Sequence, residues 1–205
     1  MPSSPVKRRP TGHHHGDLRN ALERAALELV AEKGPHGFSL NEASRRAGVS
    51  VAAPYKHFAD REALLASLAV AGYKAQQEHF AAAVSALDDP ADQLAAFAAA
   101  YVRFAAEQPA LFDVTFYAGL DKTRHPDLAE AGNALLATLL PIATRIAHDD
   151  QAAFDLLLRI SSAAHGLAVF LRQGLFGIAP DAPNETADRA SRTARALIAD
   201  TTVYQ

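Results

Sequence analysis

The chain has 205 residues, 49% hydrophobic and 21% charged, which is enough for a small module joined to a larger body with its own core. It has no cysteine, which excludes disulfides and thiolate catalysis, and no run of about 18 apolar residues, so no membrane span is predicted. Residues 1–60 carry nine Lys/Arg against six Asp/Glu (+3) and residues 61–205 eleven against seventeen (−6), so the two regions suit different partners.

Residues 1–16 lack apolar periodicity and predict a disordered arm. The basic residues Lys7 to Arg9 precede a polar stretch, so no secretory signal is predicted and we expect a cytoplasmic protein. The tract His13 to His15 can bind a metal, but a solvated tract is the simpler interpretation. We therefore expect no metal site and no cofactor.

A first amphipathic helix is predicted from Asp17, which can cap it, to the break at Gly34-Pro35. Its apolar positions recur at three- and four-residue spacing: Leu18, Leu22, Ala25, Ala26, Leu29 and Val30. Ser39 precedes Glu42 by three residues, the spacing of a capping box. This predicts a second helix from Leu40 to Ala47.

A tight turn and a third helix are predicted next. Gly48 can adopt the left-handed conformation that ends the second helix, and Ser50 can cap a helix that begins at Val51. Pro54 falls in the first turn of that helix, where at most one intrahelical bond is lost, so we expect the helix to survive. Two short helices around a tight turn form a helix-turn-helix, whose second helix contacts base edges in the DNA major groove. Residues 39–58 therefore predict a DNA-binding unit.

The remainder of the chain is helical in pattern, with no convincing strand. Predicted helices cover residues 60–87, 91–107, 109–119, 127–148, 151–175 and 185–200. The breaks between them fall at Asp, Pro and Gly residues. Pro141 should kink the helix over residues 127–148.

Residues 18–65 resemble the DNA-binding domain of the TetR family of bacterial transcriptional regulators. The specific signals are a helix ending in Gly, a Phe-Ser entry, Ala-Gly-Val-Ser at the turn, Tyr-x-His-Phe in the recognition helix and Arg-Glu-x-Leu-Leu after it. The resemblance implies an all-α fold. Residues 17–62 would form the three-helix DNA-binding domain, and residues 63–205 a larger helical domain for ligand binding and dimerisation.

The segment from Ala163 to Leu167, Ala-Ala-His-Gly-Leu, resembles a His-Gly signature in one subgroup of these C-terminal domains. That subgroup usually also carries a Trp shortly before the signature. This chain has no Trp.

The resemblance also implies DNA contacts. Positions that commonly hold phosphates are matched by Ser39, Tyr55 and Arg61, and the base-facing surface by Val51, Ala52, Ala53, Lys56 and His57. Arg45 and Ser50 complete the predicted set. A hydroxyl at a helix start and a tyrosine OH can bind phosphate, while Lys56 can donate to guanine O6 or N7.

Each of these residues also has a structural interpretation. Tyr55 can be a core aromatic instead of a phosphate ligand, whereas Phe58 is predicted to be core. The two serines can be helix caps only, and a solvated face explains Arg45 and Arg46 equally well. The basic arm can enter a minor groove, although a non-specific arm is the simpler interpretation.

The larger domain is expected to hold the effector and the dimer interface. Candidate ligand-binding residues are Phe97, Tyr101, Phe104, Phe112, Phe116, Tyr117, Leu136, Leu140 and His165, which would suit an apolar or aromatic molecule. Candidate dimer residues are Leu157, Ala164, Ala168 and Leu171 in one helix and Ala190, Ala194, Leu197 and Ile198 in the next. The alternative is that these faces pack inside one subunit.

The predicted function is a ligand-responsive regulator, a repressor that binds a palindromic operator as a homodimer and is not an enzyme. A dimer doubles the few base contacts of one recognition helix. The first rival is an all-helical enzyme using His165 and the run His148-Asp149-Asp150, but no metal, phosphate-loop or nucleophile motif accompanies them. The second rival is a helical adaptor whose helix-turn-helix is only structural.

Overall fold

A computed structural model describes residues 15–175 and 181–203, and every regular element in those residues is helical. The described residues form eight α-helices: α1 (His15–Lys33), α2 (Leu40–Arg46), α3 (Arg61–Ser85), α4 (Pro90–Glu107), α5 (Pro109–Tyr117), α6 (Pro126–Ala143), α7 (Asp150–Arg172) and α8 (Ala182–Val203). A single-turn 3₁₀ helix, Pro54–Lys56, lies between α2 and α3. The all-α prediction is confirmed. Lys7 to Arg9, His13 and His14 lie outside the described residues.

The helix starts follow the local signals in the sequence. Asp60, Asp89 and Asp149 are N-caps whose carboxylates accept hydrogen bonds from backbone N–H groups two or three residues on, at 2.7 to 3.0 Å. Proline occupies the first position of α4, α5 and α6, where its missing N–H costs no hydrogen bond. These caps explain why the predicted breaks are nearly correct.

Several predicted helix boundaries differ from those in the structure by two residues or more. The first helix starts at His15, two residues before the expected cap at Asp17. The helix containing Pro141 ends at Ala143 and not at residue 148. Pro141 has no N–H to donate to the preceding turn, and the chain then continues through i to i+3 bonds such as that from Ile146 N to Ala143 O, at 3.0 Å.

The N-terminal core joins the first helices to the body. Leu22, Leu29, Phe38 and Phe58 pack with the start of α3, and this cluster also includes Val114 of α5. Outside the cluster, the His36 ring nitrogen Nε2 lies 2.9 Å from the carbonyl oxygen of Tyr117, at the end of α5. The N-terminal helices and the body therefore share one packed contact region.

The body is built around α4, which packs against α3, α7 and α8. Its core is rich in aromatic rings. Phe80 of α3 lies edge-on to Phe97 with ring centroids 5.1 Å apart and stacks on Tyr101 at 5.6 Å. Such aromatic pairs add to the stabilisation from buried area.

Helix α7 is the one described helix long and apolar enough, by length and composition alone, to cross a membrane. One helix of this kind is weak evidence for a membrane span, because the core helix of a bundle meets the same test. One face of α7 packs on α4 and α8. Its other face exposes Phe154 and Leu158, by 40% and 54%.

Candidate nucleic-acid interface and ligand cavity

The start of α2 is capped as predicted, although only half of the capping box forms. Ser39 Oγ accepts a hydrogen bond from the N–H of Glu42 at 3.2 Å. The Glu42 carboxylate does not return to the Ser39 N–H and instead pairs with Lys33 at the end of α1. The Lys33 ammonium lowers the pKa of Glu42 through this hydrogen bond. The pair ties α1 to α2 beside the candidate interface.

The turn after α2 depends on Gly48, as expected. Gly48 has φ of +70°, in the left-handed region. The N–H of Gly48 donates to Arg45 O at 3.1 Å and the N–H of Val49 to Ser44 O at 3.0 Å. This pair of bonds is the Schellman motif that closes a helix end.

The second helix of the predicted helix-turn-helix, expected to begin at Val51, is not an α-helix, so the prediction of that helix was wrong. Val51 and Ala52 form a turn, and only Pro54–Lys56 is helical, with 3₁₀ geometry. Ala53, not Ser50, occupies the N-cap and contributes no side-chain bond. Pro54 cannot donate to the carbonyl of Ser50, which instead accepts from the Ala53 N–H at 3.0 Å. The proline therefore shortens the recognition segment, residues 51–57.

The recognition segment presents its side chains to solvent. Val51 is 53% exposed and Tyr55 59%, whereas Phe58 is 3% exposed in the core, as predicted for Phe58. Ser39, Arg45, Ser50, Ala52 and Lys56 are also exposed, while Ala53, His57 and Arg61 are half-buried. An exposed valine and tyrosine beside a lysine form a surface that the subunit itself leaves uncovered.

The three arginines near this surface differ in their surroundings. Arg46 bonds both carboxylate oxygens of Glu32 in α1, at 2.5 and 2.8 Å. Arg61 donates to the Pro35 carbonyl, and its guanidinium lies 5.2 Å from the Phe38 ring centroid. Arg45 is exposed and has no ion pair with any described residue. Arg46 and Arg61 are therefore engaged with other parts of the chain, whereas Arg45 is not.

A cavity of about 280 Å³ lies between α3, α4, α6 and α7. Four of the predicted ligand-binding residues line it: Phe97, Tyr101, Phe116 and Leu136. The other wall residues were not predicted: Tyr73, Gln76, Phe80, Gly132, Leu135, Leu139, Phe154, Leu157, Leu158 and Ser161. Of these residues, Gln76 had a signal in the sequence. It is a polar residue at four-residue spacing between the non-polar residues Gly72, Phe80 and Val84, and so lies on their face of the helix.

Five predicted ligand-binding residues lie outside the cavity wall. Phe104 and Phe112 are buried at 2% and 1% exposure, and Leu140 packs against the same core. Tyr117 is 43% exposed. His165 lies behind the wall, with Nδ1 2.9 Å from the hydroxyl oxygen of Tyr101. Aromatic content alone did not distinguish wall residues from core residues.

Two titratable side chains at and behind the cavity wall have pKa values shifted by burial. Burial raises the pKa of the Tyr101 hydroxyl far above its usual value and lowers the pKa of the His165 ring. Both groups are therefore uncharged near neutral pH. The His165 ring stacks on Phe112, with centroids 5.4 Å apart.

Most of the predicted dimer residues are covered within the chain itself, as in the alternative that the sequence left open. Six of them are buried inside the subunit at 7% exposure or less: Leu157, Ala164, Ala168, Ala190, Ala194 and Ile198. Leu171 and Leu197 are partly buried against the same core. The small-and-apolar stripes of α7 and α8 face α4, because the body core needs small residues where helices approach closely.

The residues suggested for an enzyme are not brought together. His148 Nε2 pairs with Asp149 at 3.0 Å on the surface before α7, and Asp149 caps that helix. His165 lies fifteen residues after Asp150, about 22 Å along the helix axis. Among the described residues no cluster of His, Asp and Glu could hold a metal ion.

Comparisons with known proteins match both regions of the chain. Residues 23–68 match the profile for bacterial regulatory proteins of the tetR family, and residues 94–194 that for the tetracyclin repressor-like C-terminal domain. The chain is a member of the TetR family. Proteins of this family are DNA-binding regulators, not enzymes.

Solved structures share this fold. A protein of unknown function from Rhodococcus sp. RHA1 is 31% identical, with 91% of this chain and 98% of that one covered and a TM-score of 0.74. A tetR family regulatory protein from Rhodococcus RHA1 is 20% identical, covering 88% and 96%, with a TM-score of 0.71. The TetR family regulator PfmR from Thermus thermophilus is 20% identical, covering 86% and 97%, with a TM-score of 0.68. Comparison with curated proteins finds no match.

Proposed function

We propose that this TetR family protein is a cytoplasmic repressor that binds a palindromic operator as a homodimer and releases it when a small apolar molecule enters the body. The proposal of DNA binding rests on the exposed side chains of the recognition segment. Val51 and Tyr55 are large apolar side chains exposed by more than half, next to the exposed Lys56. Methyl contacts to thymine and donation to guanine or phosphate account for this combination.

The remaining predicted residues take supporting roles. Ser39 lies at a helix start, where its hydroxyl and the local N–H groups favour an anion. Arg45 is available for a phosphate, while Arg61 positions the chain between α1 and α2 by stacking on Phe38. Ser50, Ala52, Ala53 and His57 complete the surface. With so few polar base contacts, much of the affinity comes from the DNA backbone.

The dimer interface is assigned to the outward face of α7 and not to the buried stripes. Leu158 is 54% exposed, and Ser162 and Gly166 follow it at four-residue spacing. A Cβ added at Gly166 would meet no atom of the subunit within 4 Å. Small residues in the middle of an exposed helix face allow a second helix to approach closely. Because Leu158 also borders the cavity, the partner would help to close it.

Helix α6 connects the cavity to the recognition segment. Leu135, Leu136 and Leu139 of α6 lie in the cavity wall. Just before α6, Arg124 Nη1 and His125 Nε2 contact the Glu62 carboxylate at 3.0 and 3.1 Å.

Glu62 is the second residue of α3, which follows the recognition segment directly. A ligand that displaces α6 therefore favours a conformation in which the two recognition segments no longer fit successive major grooves. Moving such an equilibrium from 1:99 to 99:1 needs about 5.5 kcal/mol of differential binding.

The DNA part is tested by fluorescence anisotropy with DNA flanking the protein's own gene, at a series of salt concentrations. The wild type should bind with steep salt dependence because phosphate neutralisation releases counterions. Tyr55→Phe with Lys56→Ala should bind more weakly, with the salt slope reduced by about one for each lost phosphate contact. Arg192→Ala, an exposed charge change on α8, is the matched control and should bind like the wild type.

Two results would contradict the proposal. Salt-insensitive or absent binding of the wild type excludes an electrostatic DNA complex. Equal losses in the double variant and in Arg192→Ala would show that overall charge, and not the recognition segment, determines affinity.

A further inference from the structure

The cavity wall contains one polar group that the subunit does not satisfy. Gln76 is 1% exposed, and neither its Nε2 nor its Oε1 has a hydrogen-bond partner among the described residues. The neighbouring cavity residues Phe80, Phe97 and Leu139 are apolar. A buried carboxamide without partners is costly, and such groups are rare in folded proteins.

The carboxamide offers two complementary sites, an N–H donor and a carbonyl acceptor side by side. The nearby Tyr101 hydroxyl is already engaged with His165. Thr138 in α6 is bonded to Gln77 and not to Gln76. A ligand that satisfies Gln76 must therefore bring both an acceptor and a donor of its own.

The wall also determines the charge of the ligand. None of the fourteen lining residues is Asp, Glu, Lys, Arg or His. Lys122, close to this wall, has its Nζ over the Tyr73 ring at 5.6 Å from the centroid. An ionised group in the cavity would lose its hydration without gaining a counter-charge from any lining residue. The ligand should enter as a neutral molecule.

The volume of the cavity limits the size of the ligand. A cavity of about 280 Å³ lies near the lower end of the roughly 300 to 1,000 Å³ typical of small-molecule pockets, so it suits a compact molecule.

From these observations we infer that the cavity binds a small neutral primary amide or lactam, whose donor and acceptor pair with the Gln76 carboxamide while its apolar body contacts Phe80 and Phe97. The inference rests on the proposed function, in which this cavity holds the effector. It narrows the expected apolar or aromatic molecule to one with a specific polar end.

The test compares four compounds of similar size on the full-length protein by ¹⁵N NMR titration. Benzamide has both the donor and the acceptor, acetophenone the acceptor only, cumene neither, and benzoate a negative charge. Benzamide should bind about tenfold more tightly than cumene, because two neutral hydrogen bonds are worth about 1 kcal/mol or less each and 1.4 kcal/mol is tenfold. It should also shift the Gln76 side-chain amide signal, assigned by its absence in Gln76→Leu.

Gln76→Leu provides the matched variant, similar in size but apolar. It should lose about tenfold in benzamide affinity and keep its cumene affinity within about twofold. Because the substitution removes an unsatisfied group, the free protein should also melt at a higher temperature, so misfolding would be visible. Gln77→Leu, one residue along α3 with its amide bonded to Thr138, should leave benzamide affinity unchanged.

The outcomes separate the inference from the proposed function. If cumene or benzoate binds as tightly as benzamide, or if Gln76→Leu keeps full benzamide affinity, the amide assignment is wrong while the cavity remains a ligand site. If none of the four compounds binds, both the amide assignment and the effector role of the cavity fail. Loss of operator binding in the anisotropy experiment, with benzamide still bound through Gln76, would overturn the regulator proposal alone.

Discussion

The hydroxyl oxygen of Tyr101 lies 2.9 Å from Nδ1 of His165, and this contact joins α4 to α7 behind the cavity wall. The His165 ring also stacks on Phe112 and lies edge-on to Phe116. A ring surrounded in this way is more stable without a charge. Burial of this ring therefore makes the stability of the body depend on pH.

Lowering the pH should destabilise the protein through His165. Burial lowers the pKa of His165 in the folded state, so below about pH 6.5, the ordinary value, the unfolded state binds the proton more readily. The contribution of His165 is fully present above that pH and is lost progressively as the pH falls from there through the lower pKa of the folded state. The melting temperature of the wild type should fall as the pH is lowered from 7.5 to 5.5. The melting temperature of His165→Gln should fall less over the same range. Tyr101→Phe, which leaves the His165 ring buried, should retain most of the dependence of melting temperature on pH. If His165→Gln matches the wild type at every pH, another group is responsible.

Gly72 should resist replacement by alanine even though it lies inside a helix. Alanine normally gains about 1 kcal/mol over glycine there. A Cβ at residue 72, however, would meet Thr115 Oγ1 at 2.4 Å and Leu111 O at 3.3 Å. Overpacking of this kind typically costs about 1 to 3 kcal/mol, so Gly72→Ala should lower the free energy of unfolding in urea by about 1 kcal/mol or more. In a Thr115→Ala background the same change should be neutral or stabilising; a loss of equal size in both backgrounds would show that Thr115 is not the obstacle.

Features determined by nearby residues could be predicted from the sequence. The predicted cap at Ser39 and the predicted glycine turn at Gly48 depend on contacts within a few residues, and the structure contains both. Pro54 shows where this reasoning was incomplete. Loss of one hydrogen bond was expected to be tolerated, but so short a segment does not continue as an α-helix without it.

Features that depend on distant parts of the chain could not be predicted. The stripe containing Ala164 and Ala168 was predicted to be a dimer interface, with packing inside one subunit as the alternative, because periodicity does not say which of the two covers a stripe. In the structure both residues are buried within the chain. In the same way, Phe97 lines the cavity while Phe104, one heptad later in α4, is core. Only the packing of α6 and α7 against α4 distinguishes these two rings.

Two adjacent arginines in α2 should have different roles. Arg45 is exposed, whereas Arg46 holds Glu32 with two hydrogen bonds. Arg45→Ala should keep the wild-type melting temperature, weaken operator binding and reduce the salt slope by about one per lost phosphate contact. Arg46→Ala should lower the melting temperature and leave the salt slope unchanged. Paired thermal melts and anisotropy titrations measure both quantities, and a reduced slope in Arg46→Ala alone would reverse the assignment.

Gly166 provides the sharpest test of the proposed dimer interface, because its effects on folding and association should have opposite signs. Nothing within the subunit opposes a Cβ at this position, so Gly166→Ala should stabilise α7 by up to about 1 kcal/mol. If α7 packs on its copy in the partner, the added methyl group separates the two helices. Interaxial distance depends directly on the side chains at the contact.

Sedimentation equilibrium of Gly166→Ala should therefore show a dimer dissociation constant raised about tenfold, which corresponds to about 1.4 kcal/mol. Leu158→Glu, a charge on the same exposed face, should also weaken the dimer. The matched control is Gly132→Ala in α6, where a Cβ would make only ordinary contacts, the nearest at 3.7 Å to Tyr73; it should leave the dissociation constant unchanged. A Gly166→Ala protein that is more stable and dimerises as tightly as the wild type would place the interface on another face, because a helix-helix contact at this glycine cannot gain a methyl group without moving apart.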